Sequence, residues 1–520
     1  MTIVPQGTIN TSALVVPDLY VQIVAPQTYL IAGTPSNVIG MVGTASWGPV
    51  NQPVIVSDMP SYVRLFGSPV SRKYDMGTHV ATAVLQGANA FRCVRVTDGT
   101  DAAATSTGVS GAITFAARYT GSLGSNLTVQ LTTGSKTGSW KAIIGVPGGQ
   151  PEQFDNVTGT GNAFWVALAA AINSGTGVLR GKSALVIATA GVGTTAAAAG
   201  TYTFSGGLDG SSSFTSANLV GADSTTRSGI YALRSQGCSM LVPADLDDST
   251  KWTTVDALAQ QEGMYAIICG PSGDSIANAV TTKQTAGLDS AWTKCMFGDW
   301  LLWNDPFLLL QRYVSPQGFV AGRLANLSPE QSTLNKTMYG VAGSQRSNST
   351  AATYSSAELT ILEQAGIDVV TNPGAGGIYI WTDRIGHNSS SNPAVHGDNY
   401  TRMTDFIAAS VNGGMGLFVG KPITPKLCQS VRSTLTSFFL GMYGQGMLGQ
   451  DIDDLGVPFS VVCGFGPGTN NPPERVKLGF LQADVQVQYM SIAEEFIINL
   501  EGGQTVTVTR QTLQNGQVVV

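Results

Sequence analysis

Several clusters in this chain have the residue types that chemistry needs. GTGVLRGKS at 175–183 approaches a phosphate-binding loop, in which backbone N–H groups and a lysine cradle phosphates. Thr176 stands where the first glycine is required, and a helical stretch precedes the segment instead of a strand. CGFGPG at 463–468 is glycine-rich, but prolines follow it where a dinucleotide fingerprint needs a helix. GPSGDS at 270–275 lacks the spacing of a nucleophile elbow. DLDD at 245–248 and DIDD at 451–454 miss the calcium-loop pattern and read as turns and helix starts. His387 and His396 share an Asn/Ser-rich stretch with Asp383 and Asp398, a set able to hold a metal or move protons. The polar neighbours favour a solvated loop. Six cysteines, Cys93, Cys238, Cys269, Cys295, Cys428 and Cys463, form no CxxC pair and sit mostly in apolar runs, as buried free thiols do. The residues therefore predict no catalytic, cofactor-binding or metal site, and no enzyme.

The elements that must position these residues are those of an α/β and α+β multidomain chain. At 520 residues, with 43% hydrophobic, it is long enough for about three domains. Only 12% of residues are charged, about half the usual share, as in proteins that hide surface in an assembly. A net charge of −6 argues against a nucleic-acid partner. No apolar run is long enough to span a bilayer, and the first residues lack a secretory pattern, so no membrane partner is expected.

Strands are predicted at 38–45, 53–58 and 90–96, with a helix over 75–89. A Gly/Thr/Ser/Ala-rich stretch, 98–209, reads as a β-rich insertion with one helix near 162–173 and a mobile loop at 191–200. The α/β alternation then resumes: strands at 239–245, 264–270 and 294–303, and helices at 254–263 and 275–287. Helical spacing returns at 357–364. A stronger helix starts with Thr424 and Pro425, carrying Leu427, Val431, Leu435 and Phe439 on one face and Lys426 and Arg432 off it. DVQVQYMSIAEEFIINLEG alternates as strands. The domain reading is 1–20 an extended arm, 21–97 with 210–350 a discontinuous α/β body, 98–209 the insertion, 351–503 a C-terminal domain and 504–520 an arm strand. QTVTVTRQTL and QVVV at the C-terminus cannot form a stable lone strand and must pair with a sheet edge. An arm of about 15 residues reaches up to ~50 Å, enough to enter an adjacent subunit.

Several segments, in order, resemble the contractile tail sheath family of bacteriophages, related to pyocin and type VI secretion sheaths. PDLYVQIV (17–24) resembles the family's PGVYV element, and VIGMVGTASWGPVNQPVIVSDMPSYVRLFG (38–67) its following glycine- and proline-marked pattern. AVLQGANAFRCVRV (83–96) is similar to its helix and vvRV strand, and FSGGLDG (204–210) to the GG-DG signature that closes the outer insertion. SPQGFVAGRLAN (315–326) resembles PSG-vAG. GIDVVTNPGAGGIYIWTDR (366–384) resembles the segment ending WGaRT, departing from it at Trp381–Arg384.

The resemblance implies hexameric rings stacked helically around a tail tube, with baseplate and tail terminator proteins as further partners. It implies an α/β sheath body, a β-rich outer insertion, a tube-facing C-terminal α+β domain and terminal arms that add strands to neighbouring subunits. The arm residues on that reading include Thr8, Asn10, Val15, Thr505, Val506, Val508 and Val518; Lys426 and Arg432 mark the tube-facing helix. It implies assembly in the host cytoplasm, a place in the virion tail, and contraction that drives the tube through the host envelope to deliver the genome. A surface-layer-like self-assembling protein is the alternative class.

Overall fold

The computed structural model describes residues 2–4, 20–22, 31–177, 180–350, 353–372, 381–450, 456–494, 512–514 and 517–519. Its centre is a seven-stranded sheet. In chain order the strands are β1 (Ile39–Gly43), β2 (Pro53–Val56), β3 (Phe91–Arg95), β4 (Met240–Pro243), β5 (Tyr265–Cys269), β6 (Thr293–Met296) and β7 (Ile367–Asp368). They lie in the order β7-β6-β5-β4-β1-β3-β2. Every neighbouring pair is parallel except β2 and β3.

The strands read as apolar runs because both faces are covered. Alternate residues divide between two cores. Ile39, Met41, Met240, Val242, Tyr265 and Ile267 face the helices Met59–Phe66, Met76–Leu85 and Gln317–Ala325. Val42, Leu241, Ala266 and Ile268 face the Trp252–Glu262 helix and the short turns around Leu219 and Ile230. In the first layer the Met76–Leu85 and Gln317–Ala325 helices cross at Gly318 and Gly322. A Cβ at Gly318 would collide with Thr82 and His79, and one at Gly322 with the Ala83 backbone. That gives the glycines of SPQGFVAGRLAN a packing role.

Both sheet edges are blunted. β2 opens with Pro53, which has no N–H to offer, and β7 is a buried strand of two residues. Because β7 comes from beyond residue 350, the sheet also draws on the stretch that the sequence assigns to the C-terminal domain. The expected single strand over 294–303 is two strands in two sheets. β6 ends at Met296, and Leu301–Asp305 joins a separate antiparallel sheet with Leu310–Val314 and Val341–Ser344. The turn between them is held by buried Asp299, which accepts from the Arg346 N–H (2.9 Å) and the Tyr354 hydroxyl (2.8 Å).

Residues 98–209 form two antiparallel sheets, of three and four strands, around a core of Phe115, Phe154, Phe164, Trp165, Leu168 and Ile172. The Asn162–Ser174 helix supplies the last four. The ends of the stretch meet, with the Asp98 N–H donating to the Gly210 carbonyl at 2.8 Å. The loop expected to be mobile is pinned: the Trp165 indole donates to the Thr195 carbonyl (2.8 Å), and Asn162 Nδ2 to that of Gly191 (2.7 Å).

The C-terminal part packs the Asp398–Met415 and Pro425–Gly444 helices against a hairpin of Phe459–Val462 and Asp484–Val487. Of the long alternation after 483, only 484–487 is a strand among the described residues. Two small ribbons stand apart from every larger sheet. Thr2–Val4 pairs in parallel with Tyr20–Gln22, and Thr512–Gln514 pairs antiparallel with Gln517–Val519.

Candidate functional site

The strongest electrostatic feature lies where the sheet meets the C-terminal helices. Lys294, in the middle of β6, is fully buried. Its ammonium contacts Asp368 at the end of β7, Asp383 at 3.2 Å and Asp398 at 3.0 Å, each also without exposed side chain. The Thr333 hydroxyl sits within hydrogen-bond reach of both Asp383 and Asp398, with one proton to share between them, and the Tyr265 hydroxyl donates to Asp398. The Gly386 N–H donates to Asp368 (2.9 Å). Burial works to discharge Lys294, but the three carboxylates outweigh it and hold its pKa above the ordinary lysine range. Burial and the neighbouring Asp383 push Asp368 well up. Burial also opposes the charge on Asp383, but Lys294 and bonds from Asp368 and Thr333 keep its pKa below the usual value. One helical turn past Asp398, buried Arg402 donates to the carbonyls of Leu324 (2.8 Å) and Leu327 (2.9 Å), capping the end of the Gln317–Ala325 helix. The cluster is a sealed internal tie.

His387 and His396 lie directly over this tie. The polar sequence predicts a solvated loop; instead His387 is buried and its ring stacks on His396, centroids 3.8 Å apart. A bridge between His387 and Gly397 and the Asn388 N–H···O His396 bond (2.7 Å) bring the two together. Burial and the adjacent His396 lower the pKa of His387. Asp383 and Asp398 instead contact Lys294. The sequence signal for Lys294 was a lysine inside an otherwise buried strand, which demands acidic partners.

A second test of chemistry is the crevice at the carboxyl ends of β4 to β6, where open α/β sheets take ligands. A cavity of about 380 Å³ there is lined by Arg72, Lys73, Arg312, Asp245 and Asp247 among others. Its cations are already matched: Arg72 with Asp209, Lys73 with Asp247 (2.8 Å) and Arg312 with Asp305 (2.9 Å). Asp245 receives His79 Nε2 at 3.0 Å and the Tyr74 N–H at 2.9 Å. Burial opposes its charge, but His79 and these bonds outweigh that and keep its pKa low.

The near-miss phosphate loop is a connector. Gly175 ends the 162–174 helix, the Thr176 N–H returns to the Arg180 carbonyl, and Arg180 pairs with Glu152 at 3.1 Å; a strand follows, not a helix. CGFGPG is a turn held by Asn470 and buried Asn471. Ser275 caps the Ile276–Ala286 helix. DIDD lies outside the described residues. All six cysteines are buried and free, with burial pushing Cys238 and Cys295 up to about 12.

Among the residues expected to serve assembly, Lys426 and Arg432 are exposed on the Pro425–Gly444 helix, which Thr424 caps. Leu427, Val431, Leu435 and Phe439 fill the core on the opposite face. Val518 lies in the C-terminal ribbon, in register with Leu513. Thr8, Asn10, Val15, Thr505, Val506 and Val508 lie outside the described residues.

No protein-family model matches the chain, and no curated protein matches it in sequence. Solved structures do match along nearly its whole length. A sheath tail protein from Desulfitobacterium hafniense superposes with a TM-score of 0.57 at 14% identity, over 85% of this chain and 93% of that one. One from Listeria innocua gives 0.59 at 13% identity, over 83% and 89%. The PVC sheath of an extracellular contractile injection system, in its contracted state, gives 0.55 at 12% identity, over 95% and 99%. This chain has the sheath fold. The order of motifs in the sequence and the three-dimensional match point to the same family of folds. Within the sheath fold, FSGGLDG gains a role: Asp209 ties the base of the insertion by receiving Arg72 and the Ser122 N–H (2.6 Å).

Proposed function

We propose that this chain is the structural subunit of a contractile tail sheath, working by assembly and repacking without catalysis. The observation that carries the reading is the end-to-end match, 95% of this chain with 99% of a contractile sheath subunit. In this reading hexameric rings stack helically around a tail tube, between baseplate and terminator proteins. The sheath is built in the host cytoplasm, becomes part of the virion tail, and contracts to drive the tube through the host envelope for genome delivery. Neither nucleic acid nor membrane is bound directly.

The moving block is 21–97 with 210–350, extended by β7; the insertion, 98–209, faces outward, and 351–503 faces the tube through Lys426 and Arg432. The terminal arms join neighbours by strand addition. The two isolated ribbons support this, because a two-stranded ribbon is marginal alone and keeps unpaired edges. Main-chain pairing of this kind holds subunits together while rigid blocks rotate.

Electron microscopy of the purified protein should show hollow striated tubes; flat lattices or monomers alone would overturn the proposal. In the same assay, deletion of Thr505–Val520 should leave a folded monomer and no tubes. Normal tubes from that deletion would refute arm exchange. Lys426→Glu with Arg432→Glu should block assembly around the tube protein, and unchanged tube binding would remove the helix from that interface.

A further inference from the structure

The stacked histidines have a third partner. Glu494 places one carboxylate oxygen 3.5 Å from His387 Nε2 and the other 3.5 Å from His396 Nε2. One ligand atom from each residue lies within 4.8 Å of the others. His387 is 94% buried, yet its Nε2 makes no hydrogen bond, although it faces this gap. A buried polar atom without a hydrogen bond costs about 1–3 kcal/mol, and an ion ligated by Nε2 would offset that cost. Two imidazole nitrogens and one carboxylate form the donor set of a three-ligand zinc site, with a fourth position left to water. The stacked rings are tilted by 30°, so their planes converge toward one side.

We propose that His387, His396 and Glu494 bind one divalent transition-metal ion of zinc type. Imidazole and carboxylate donors select such ions over calcium or magnesium, which prefer all-oxygen shells. The three residues must close by less than their present spread to reach zinc's ligand distances of about 2.0–2.2 Å. The Glu494 side chain is 37% exposed. The site joins chain segments about a hundred residues apart. His387 is held from below through its carbonyl, which receives the Lys294 ammonium at 3.4 Å. Glu494 follows a segment held to the Asp398–Met415 helix by Asn399 Nδ2, donating to the Met490 carbonyl at 3.1 Å, and by Tyr489 against Thr404. A bound ion would therefore clip the chain to the body ahead of the arm strand read at 504–520. That consequence for the arm rests on the sheath reading; the metal site does not.

The test is calorimetric titration of zinc chloride into full-length protein stripped with a chelator. The expected result is one site per chain with a Kd near or below about 1 μM. His396→Ala at a part-buried position and Glu494→Gln at an exposed one should each weaken it by at least about tenfold, which is 1.4 kcal/mol. Circular dichroism checks that both variants fold. Cobalt(II) in place of zinc should give visible d–d bands without a thiolate charge-transfer band, separating this site from the cysteines. If a variant misfolds, limited proteolysis of the wild type decides: zinc should slow cleavage C-terminal to Glu494. No stoichiometric binding, binding unchanged in both folded variants, a thiolate band, or cleavage indifferent to zinc would each overturn the proposal.

Discussion

A strand of the central sheet places a buried cation at the joint to the insertion and another at the joint to the C-terminal part, and the two are built differently. At the insertion, Arg95 from β3 is fully buried and donates to three neutral carbonyls: Gly48 (2.8 Å), Thr120 (2.7 Å) and Asp209 (3.0 Å). Burial lowers its pKa to about 10, with Asp209 and Asp101 pulling the other way, so it stays charged at neutral pH. At the C-terminal joint, Lys294 meets three carboxyl groups, and each of those is buried with it. Removing the arginine strands only dipoles. Removing the lysine strands charge. The cation at the insertion joint therefore works on dipoles, whereas the cation at the C-terminal joint works on charge.

Substitution at the C-terminal joint should have the largest effect. Lys294→Met leaves buried carboxylates without a cation and should cost about 3–5 kcal/mol. Chemical denaturation measures it, and a loss under about 1 kcal/mol would show that the aspartates simply take up protons. Arg95→Met should cost less, about 1–3 kcal/mol for unsatisfied carbonyls. Hydrogen exchange should quicken within 98–209 and stay unchanged in β5 and β6. Equal loss of protection in both places would erase the contrast between the joints.

The smallest effect belongs to Asp405, on the helix that leaves the C-terminal joint. Burial raises its pKa to about 6, only partly offset by the bond from the Trp292 indole (3.1 Å). In the unfolded chain an aspartate titrates near 3.9. Between about pH 4 and 6 the folded state holds the proton and the unfolded state does not, so this group lowers stability as pH rises through that window. Asp405→Asn should accordingly stabilise the protein at pH 7 by about 1–2 kcal/mol after discounting residual exposure, and by nothing below pH 4. A constant gain across that range would assign the effect to something other than ionisation.

The same contrast explains what the sequence made legible. β1, β3, β4 and β5 were readable because a strand buried on both faces must be an apolar run, and its turns supply the punctuation. The β-rich character of 98–209 was readable from its composition. The C-terminal joint was not. Lys294, Asp368, Asp383 and Asp398 are spread over about a hundred residues, and nothing local says that three acids share one base. The Asp398–Met415 helix was missed because Asp, Asn, Thr and Gly lower its local propensity, while its stability comes from Met403, Phe406 and Ile407 in the core. The histidine pair looked solvated because the chain that covers it, around Tyr489–Glu494, arrives from far downstream.

The blunted edges of the central sheet carry a last consequence. With Pro53 at one rim and two buried residues at the other, the central sheet is a poor template for stray strands. On the arm-exchange reading, recruitment is then a matter of free ends, as in a step-growth polymer. A subunit with an intact block and a trimmed C-terminus would still be accepted by its predecessor but offer nothing to its successor. Mixed into a growing sheath at a small fraction, such copies would act as chain stoppers and set tube length by their proportion.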